Sequence, residues 1–470
     1  MQIGKKDIAW NFVGTIMRVA SGVILLPIVL HKLSTEDVGL WNLYIYVGGL
    51  ALLLDFGFQS TFGRNITYIF SGVKELRAEG YNAVDSNDKS ISYSLLKSVI
   101  HAMRRFYTII ALVFLVFFIT ISPFYLKHIL RDYHGGTNLN VIWVSWFTYG
   151  VLVAYQLYTY YYSSLLIGRG MIKKQQQITI IGQAFRIGSS AVLIYMGHGI
   201  ISLVVGQLLS DVFTRILSYK AFYDKETRAN LRKEFVTPVG NIMKIMTPNA
   251  TKIGISTLGS FLTTKIIILV APLLSISLST IGSYGTTMTM INLIMSLSTL
   301  WSSTFYPKLT LYRVNNMHED MKRVFIKGQL AMVAVYIICG AGLILTGPFL
   351  VSLVRSNTQL LPATMIIVIL IFALLESNYG LANSFILSGN EVPYMKSSIM
   401  TGILSATLLL ILLKFTALST WAMILAPGIA ASLYLNWKWP LVVAQKISLK
   451  PTDYFTQTIS TINEFFHPKS

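Results

Sequence analysis

Ionisable side chains that fall inside long apolar runs each need a physical reason to be there, because a charge near a bilayer centre costs at least about 2.5 to 3.5 kcal/mol. Arg18, Arg186, Asp211, Glu376 and Lys265 lie deep within such runs, Lys252 lies nearer one end of its run, and Asp55 lies at an end. Cations held against low-dielectric walls bind an anionic head group, a phosphate being the favoured one, through strong charge pairing. The competing explanation is that the charges pair among themselves. Asp211 has Arg215 at i+4, with Arg186 a further candidate partner, so internal pairing is the preferred reading there. Arg18 and Lys265 have no carboxylate nearby in sequence, and a substrate-binding role is preferred for them. Asp55 and Glu376, together with Asp211, are candidate ion or proton sites. A solvated helix end for Asp55 and a buried hydrogen bond for Glu376 are equal alternatives.

Helical spacing says which of these could share a face. Asn11, Arg18 and Ser21 recur at seven- and three-residue steps, a single stripe on one helix. Lys252, Ser256, Gly259 and Thr263 form a comparable stripe further along. At 100° per residue, however, Lys265 stands about 140° round from Lys252. Both point inward only if the helix is broken, which Pro248 and Gly254 permit.

The elements that must position these side chains are transmembrane helices. Hydrophobic residues make up 54% of the 470, charged residues 12%, and mean hydropathy is +0.61. That composition excludes a water-soluble core. Apolar runs place spans at roughly 8–31, 38–58, 106–126, 141–167, 177–196, 199–219, 248–272, 276–306, 328–351, 362–387, 397–413 and 419–437. The first is too long for a signal-peptide core and reads as a retained span. Of 38 Lys and Arg, 28 fall in the N-terminus, alternate connections and C-terminus, and 5 on the opposite side. Positive charge collects on the cytoplasmic side, so both termini are expected there. The net charge of +19 is explained the same way, as cations facing anionic lipid rather than nucleic acid. Cys339 is the one cysteine, so no intrachain disulfide forms.

The chain also repeats itself. At an offset of 243, Val38-Gly39-Leu40-Trp41 falls on Ile281-Gly282-Ser283-Tyr284, and Ser60-Thr61-Phe62 on Ser303-Thr304-Phe305. Ser163 to Gly168 falls on Ser384 to Gly389 at an offset of 221. The expectation is an all-α protein of about 12 transmembrane helices in two pseudo-symmetric six-helix lobes around a central cavity, where Arg18 and Lys265 would face each other. The lobes are expected at 1–220 and 248–437, with a cytoplasmic linker at 221–247 and a basic amphipathic tail at 438–470. Ser86 to Arg105 carries an apolar stripe (Leu95, Val99, Met103) and reads as an interfacial helix leading into the third span; the segment after Pro451 reads as a second interfacial helix. Trp143, Trp146 and Tyr149, and Tyr160 to Tyr162, read as aromatic belts at the two interfaces.

No catalytic motif, metal cluster or nucleotide-binding loop is present in the sequence, so no enzyme activity, metal or cofactor is expected, and transport would run on a gradient or on substrate imbalance. The stretch Gly39-Leu40-Trp41-Asn42-Leu43-Tyr44, followed by Leu54-Asp55-Phe56-Gly57-Phe58, Arg64-Asn65-Ile66-Thr67-Tyr68 and Ser71-Gly72, resembles bacterial polysaccharide flippases of the O-antigen type. These belong to the multidrug/oligosaccharidyl-lipid/polysaccharide exporter superfamily. The match spans about the first 80 residues. The resemblance implies alternating access around a cationic cavity, with cations on the first and seventh helices that would fit Arg18 and Lys265. It implies an oligosaccharide on an undecaprenyl pyrophosphate carrier as substrate, moved to the outer leaflet of the bacterial cytoplasmic membrane for surface polysaccharide such as lipopolysaccharide O-antigen. Expected partners are that substrate, membrane lipids, H+ or Na+ as coupling ion, and other polysaccharide-assembly proteins. A cation-coupled multidrug exporter of the same superfamily is the alternative, although Arg18, Arg186, Lys252 and Lys265 against Asp211 and Glu376 favour anions. A membrane polymerase or ligase fits less well, because the longest outer connection, near Lys127 to Asn140, is short.

Overall fold

The computed structural model describes residues 5–76, 90–235, 239–274, 276–302, 309, 312, 317–353, 355–387 and 392–454, with some side chains inside helices, Arg18 among them, outside that set. Among the described residues every element is helical and none is a strand. The first part runs α1 (Lys5–Lys32), α2 (Thr35–Leu52), α3 (Phe58–Phe70), α4 (Tyr93–Ile129), α5 (Leu139–Thr159), α6 (Tyr161–Gly168), α7 (Ile172–Tyr195), α8 (Ile201–Phe222) and α9 (Lys225–Lys233). It continues as α10 (Val239–Thr264), α11 (Ile266–Val270), α12 (Leu278–Ser298), α13 (His318–Leu353), α14 (Ala363–Leu387), α15 (Met395–Phe415), α16 (Thr420–Leu433) and α17 (Leu435–Lys446). Each of the twelve expected spans falls on a helix. Eight described helical stretches are individually long and apolar enough to cross a bilayer, and α10 with α11 makes a ninth across a 55° bend. The other three places are taken by α1, α12 and α16.

Local chemistry fixes the helix starts. Ser34 caps α2 by accepting from the Asp37 N–H at 3.1 Å, and Ser92 does the same for α4. Asp224 caps α9, where the Thr227 hydroxyl and N–H, and then the Arg169 guanidinium at 2.8 Å, hold its carboxyl down at about 2.

The chain divides into two compact units, Met1–Leu258 with Ser277–Gly282, and Gly259–Ile276 with Ser283–Ser470. Within the first, α7 packs on α1 and α8, α4 on α5, and α5 on α8. Within the second, α15 packs on α11 and α16, α13 on α14, and α14 on α16. The two sets of pairings correspond, with α10–α11, α13, α14, α15 and α16 standing where α1, α4, α5, α7 and α8 stand in the first unit. The two repeat-matched glycines of the first unit also meet each other. A Cβ on Gly39 would lie 2.2 Å from the Leu278 carbonyl oxygen, and one on Gly282 would lie 2.5 Å from that of Thr35. Backbone is in contact with backbone there.

Two expectations need correction. The stripe Leu95, Val99 and Met103 lies on α4, which leads into the third span as expected, but Val99 and Met103 are fully buried in one core with Phe62, Ile66 and Leu165. The residues form protein core, not a membrane-surface helix. Three of the six expected belt residues are buried, while Trp143, Tyr160 and Tyr162 are half-buried. Trp146 and Tyr149 are buried beside Tyr44, with ring centroids 4.8 and 5.2 Å away, and Tyr161 is buried against Tyr107. Sequence position alone does not say which side of a helix a ring faces. The segment after Pro451 lies, from residue 455, outside the described residues, as do Ser303 to Phe305.

Candidate functional site

The first unit carries a polar chain through its apolar interior. Asp211, on α8, accepts a hydrogen bond from Gln156 Nε2 of α5 at 2.6 Å and from Gln207 Nε2 one turn away at 3.1 Å. Gln207 turns its Oε1 to Arg186 Nη1 of α7 at 2.9 Å. Arg215 donates from Nε to the Thr159 hydroxyl at 2.9 Å and feels Asp211 electrostatically. The expected pairing of Asp211 with the two arginines is therefore relayed: amides and a hydroxyl stand where direct ion pairs were expected. A glutamine relay satisfies both charges over a longer span than a salt bridge, and leaves Arg186 Nε buried with no partner among the described residues.

Replacing Asp211 by Leu leaves two arginines embedded without a counter-charge, which costs about 3 to 5 kcal/mol. We expect Asp211→Leu to lower the melting temperature of the purified protein strongly, and Asp211→Asn, which keeps an acceptor, to lower it much less. Equal melting of Asp211→Leu and wild type would show that the network carries no stability.

Asp55 is buried, not at a solvated end. It accepts from the Tyr107 hydroxyl at 2.6 Å and from the Gln59 N–H at 3.0 Å, tying the start of α3 to α4. Lys252 is exposed on α10.

Lys265 occupies the break between α10 and α11. The helix bends by 55° at this residue, beyond Pro248 and Gly254, both of which lie inside α10. The Lys265 side chain is exposed and makes no hydrogen bond or ion pair among the described residues, though Glu376 feels its charge. Arg18 lies on α1, but its side chain is outside the described residues, so the expected facing of Arg18 and Lys265 rests on the sequence alone.

Glu376, on α14, opens into a cavity of about 90 Å³ in the second unit, with Ser260, Thr263 and Thr264 of α10, Tyr379 of α14 and Asn436 of α17. It makes no hydrogen bond among the described residues, in place of the buried bond considered for it. Thr263 and Thr264 donate to carbonyls one turn back, at 2.9 and 3.0 Å, which leaves their oxygen lone pairs free to accept. Asn436 Oδ1 is buried with no partner among the described residues. A carboxylate, hydroxyl oxygens and an orphan amide oxygen form a set suited to a proton or a small hard cation. Among the described residues no cluster of His, Cys, Asp and Glu could hold a transition metal. Asn436, Gln156 and Gln207 were missed in the sequence because they carry no charge, although an amide within an apolar run was itself a signal.

No family model and no curated protein matches the chain in sequence. Solved structures do match over nearly their whole length. An inward-facing multidrug resistance MATE family transporter of the MOP superfamily is 14% identical, with a TM-score of 0.65, covering 93% of this chain and 96% of that one. A MOP superfamily transporter from Pyrococcus furiosus Vc1 (DSM3638), described as having a binding pocket of reversed polarity, is 14% identical with a TM-score of 0.60 and 95% and 96% coverage. The MATE multidrug transporter DinF-BH, solved as a complex, is 12% identical with a TM-score of 0.62 and 94% and 96% coverage. The chain has the all-helical fold of the MATE family transporters of the MOP superfamily.

Proposed function

We propose that this membrane transporter moves an anionic, lipid-linked oligosaccharide, carried on undecaprenyl pyrophosphate, from the inner to the outer leaflet of a bacterial cytoplasmic membrane. Both termini then face the cytoplasm, and the two units are the moving halves of an alternating-access cycle. Lys265 carries the reading. An exposed ammonium at a helix break, with no hydrogen-bonding partner among the described residues, is retained at a cost that binding an anion offsets. Arg18, Lys252 and Arg186 add to the cationic side of the balance. Glu376, with the hydroxyl and amide oxygens that share its largely apolar cavity, supplies a place for H+ or Na+, with Asp55 and Asp211 held in fixed hydrogen bonds.

The same cavity favours a second reading, a cation-coupled drug exporter, as in the structural neighbours named for multidrug transport. Deleting the gene in its host separates the two. We expect loss of surface polysaccharide and a build-up of lipid-linked oligosaccharide in the inner leaflet. Unchanged surface glycan together with heightened sensitivity to cationic drugs would overturn the flippase reading in favour of the exporter.

A further inference from the structure

On the surface of the first unit, α1, α7 and α8 enclose a cavity of about 540 Å³ that the transport reading does not use. Its polar rim holds Lys174 from the first turn of α7, Lys220 from the last turn of α8, Gln177 and the indole of Trp10. Because α7 and α8 pack antiparallel, the two ammonium groups come to the same end of the pair. Both are exposed, neither forms an ion pair or hydrogen bond among the described residues, and no acidic side chain lines the cavity.

Below the rim the walls become apolar. From the 1.5 Å rise per residue, Ile181 lies about 10 Å deeper along α7 than Lys174, and Leu217 about 4.5 Å deeper along α8 than Lys220. The apolar surface continues past the cavity through the stacked and exposed rings of Phe185 and Phe213. A ligand complementary to this lining is anionic at one end and aliphatic at the other. Free phosphate would leave the aliphatic walls unused, and a zwitterionic head would bring a cation against two lysines with no acid to receive it.

We propose that this cavity binds one bilayer phospholipid with an anionic headgroup, its phosphate between Lys174 and Lys220, its polar head on Gln177 and an acyl chain along Ile181 and Leu217. Basic pockets between helices at a membrane face hold anionic lipids in this manner. The site is separate from the transported substrate, so its test is a binding measurement that does not depend on transport.

Purified full-length protein in mixed micelles is titrated with phosphatidylglycerol, with retained lipid counted by native mass spectrometry. Wild type is expected to retain one phosphatidylglycerol in preference to phosphatidylcholine. Lys174→Gln with Lys220→Gln is expected to weaken phosphatidylglycerol binding about 30-fold, or about 2 kcal/mol, and to leave phosphatidylcholine unaffected. Lys174→Arg with Lys220→Arg keeps the preference and shows that the pair can be changed without loss of fold. Unchanged phosphatidylglycerol binding in the glutamine variant, or equal retention of the two lipids by wild type, would overturn the site. Displacement of the bound lipid by inorganic phosphate alone would reduce it to an anion site, against the proposal. Displacement by undecaprenyl phosphate at far lower concentration than by phosphatidylglycerol would make it an entry point for the carrier, and would also overturn the proposal.

Discussion

Lys265→Ala should abolish surface polysaccharide while the protein still inserts and accumulates in the membrane. Once a bound anion shields this ammonium from water, truncating the cation costs about 2 to 5 kcal/mol, which is about 30-fold to more than a thousandfold in a binding-limited rate. Lys265 sits at a 55° break and is exposed, so its truncation leaves neither a packed cavity nor an orphaned partner. Folding should therefore be spared, and Lys265→Arg should retain a large part of the activity. The same loss is expected for Arg18→Ala, on the sequence stripe that places it on one face of α1. Normal surface glycan in both Lys265→Ala and Arg18→Ala would sink the cationic-site assignment.

The twelve helices were legible because hydrophobic length is a one-dimensional property, set by bilayer thickness and read directly along the chain. Which way a side chain points is not. Trp146 and Tyr149 have the composition of an interfacial belt, and both are buried on Tyr44. Val99 and Met103 have the spacing of a surface helix, and both are core. In lipid, an amphipathic pattern loses the contrast that water gives it, since the outward face is as apolar as the inward one. The candidate site was half legible for a related reason. Charges stand out against apolar sequence, so Arg186, Asp211, Lys265 and Glu376 were found. The uncharged amides Gln156 and Gln207 that join Asp211 to Arg186 and α5 did not stand out, and without them the pairing looked like direct salt bridges. The helix break at Lys265 had no proline or glycine to announce it; the two residues that could have produced one, Pro248 and Gly254, leave α10 continuous.

Gly39→Val should be among the most damaging single substitutions in the protein, and its severity follows from backbone contact alone. The start of α2 and the start of α12 meet with no side chain between them: even a bare Cβ at Gly39 would stand 2.2 Å from the Leu278 carbonyl oxygen, and at Gly282 2.5 Å from that of Thr35. Neither neighbour is a flexible side chain that could swing aside. Inserting volume into a packed interface costs about 1 to 3 kcal/mol when side chains can adjust, and here they cannot, so the helices must separate. Separation removes the van der Waals packing that small residues provide between helices in a bilayer, where no hydrophobic driving force replaces it. We therefore expect Gly39→Ala and Gly282→Ala to lower the melting temperature clearly, and Gly39→Val to lower it further or prevent accumulation. Glycine loss as such is controlled for by Gly188→Ala and Gly342→Ala, because a Cβ at either position meets nothing within 4 Å. Those two should match or slightly exceed wild type, since alanine favours the helix by roughly 1 kcal/mol over glycine. If Gly39→Val melts with the controls, the close approach of α2 and α12 is not what holds this end of the unit together. If all four positions lose stability alike, the cost lies in changing glycine and not in the crossing.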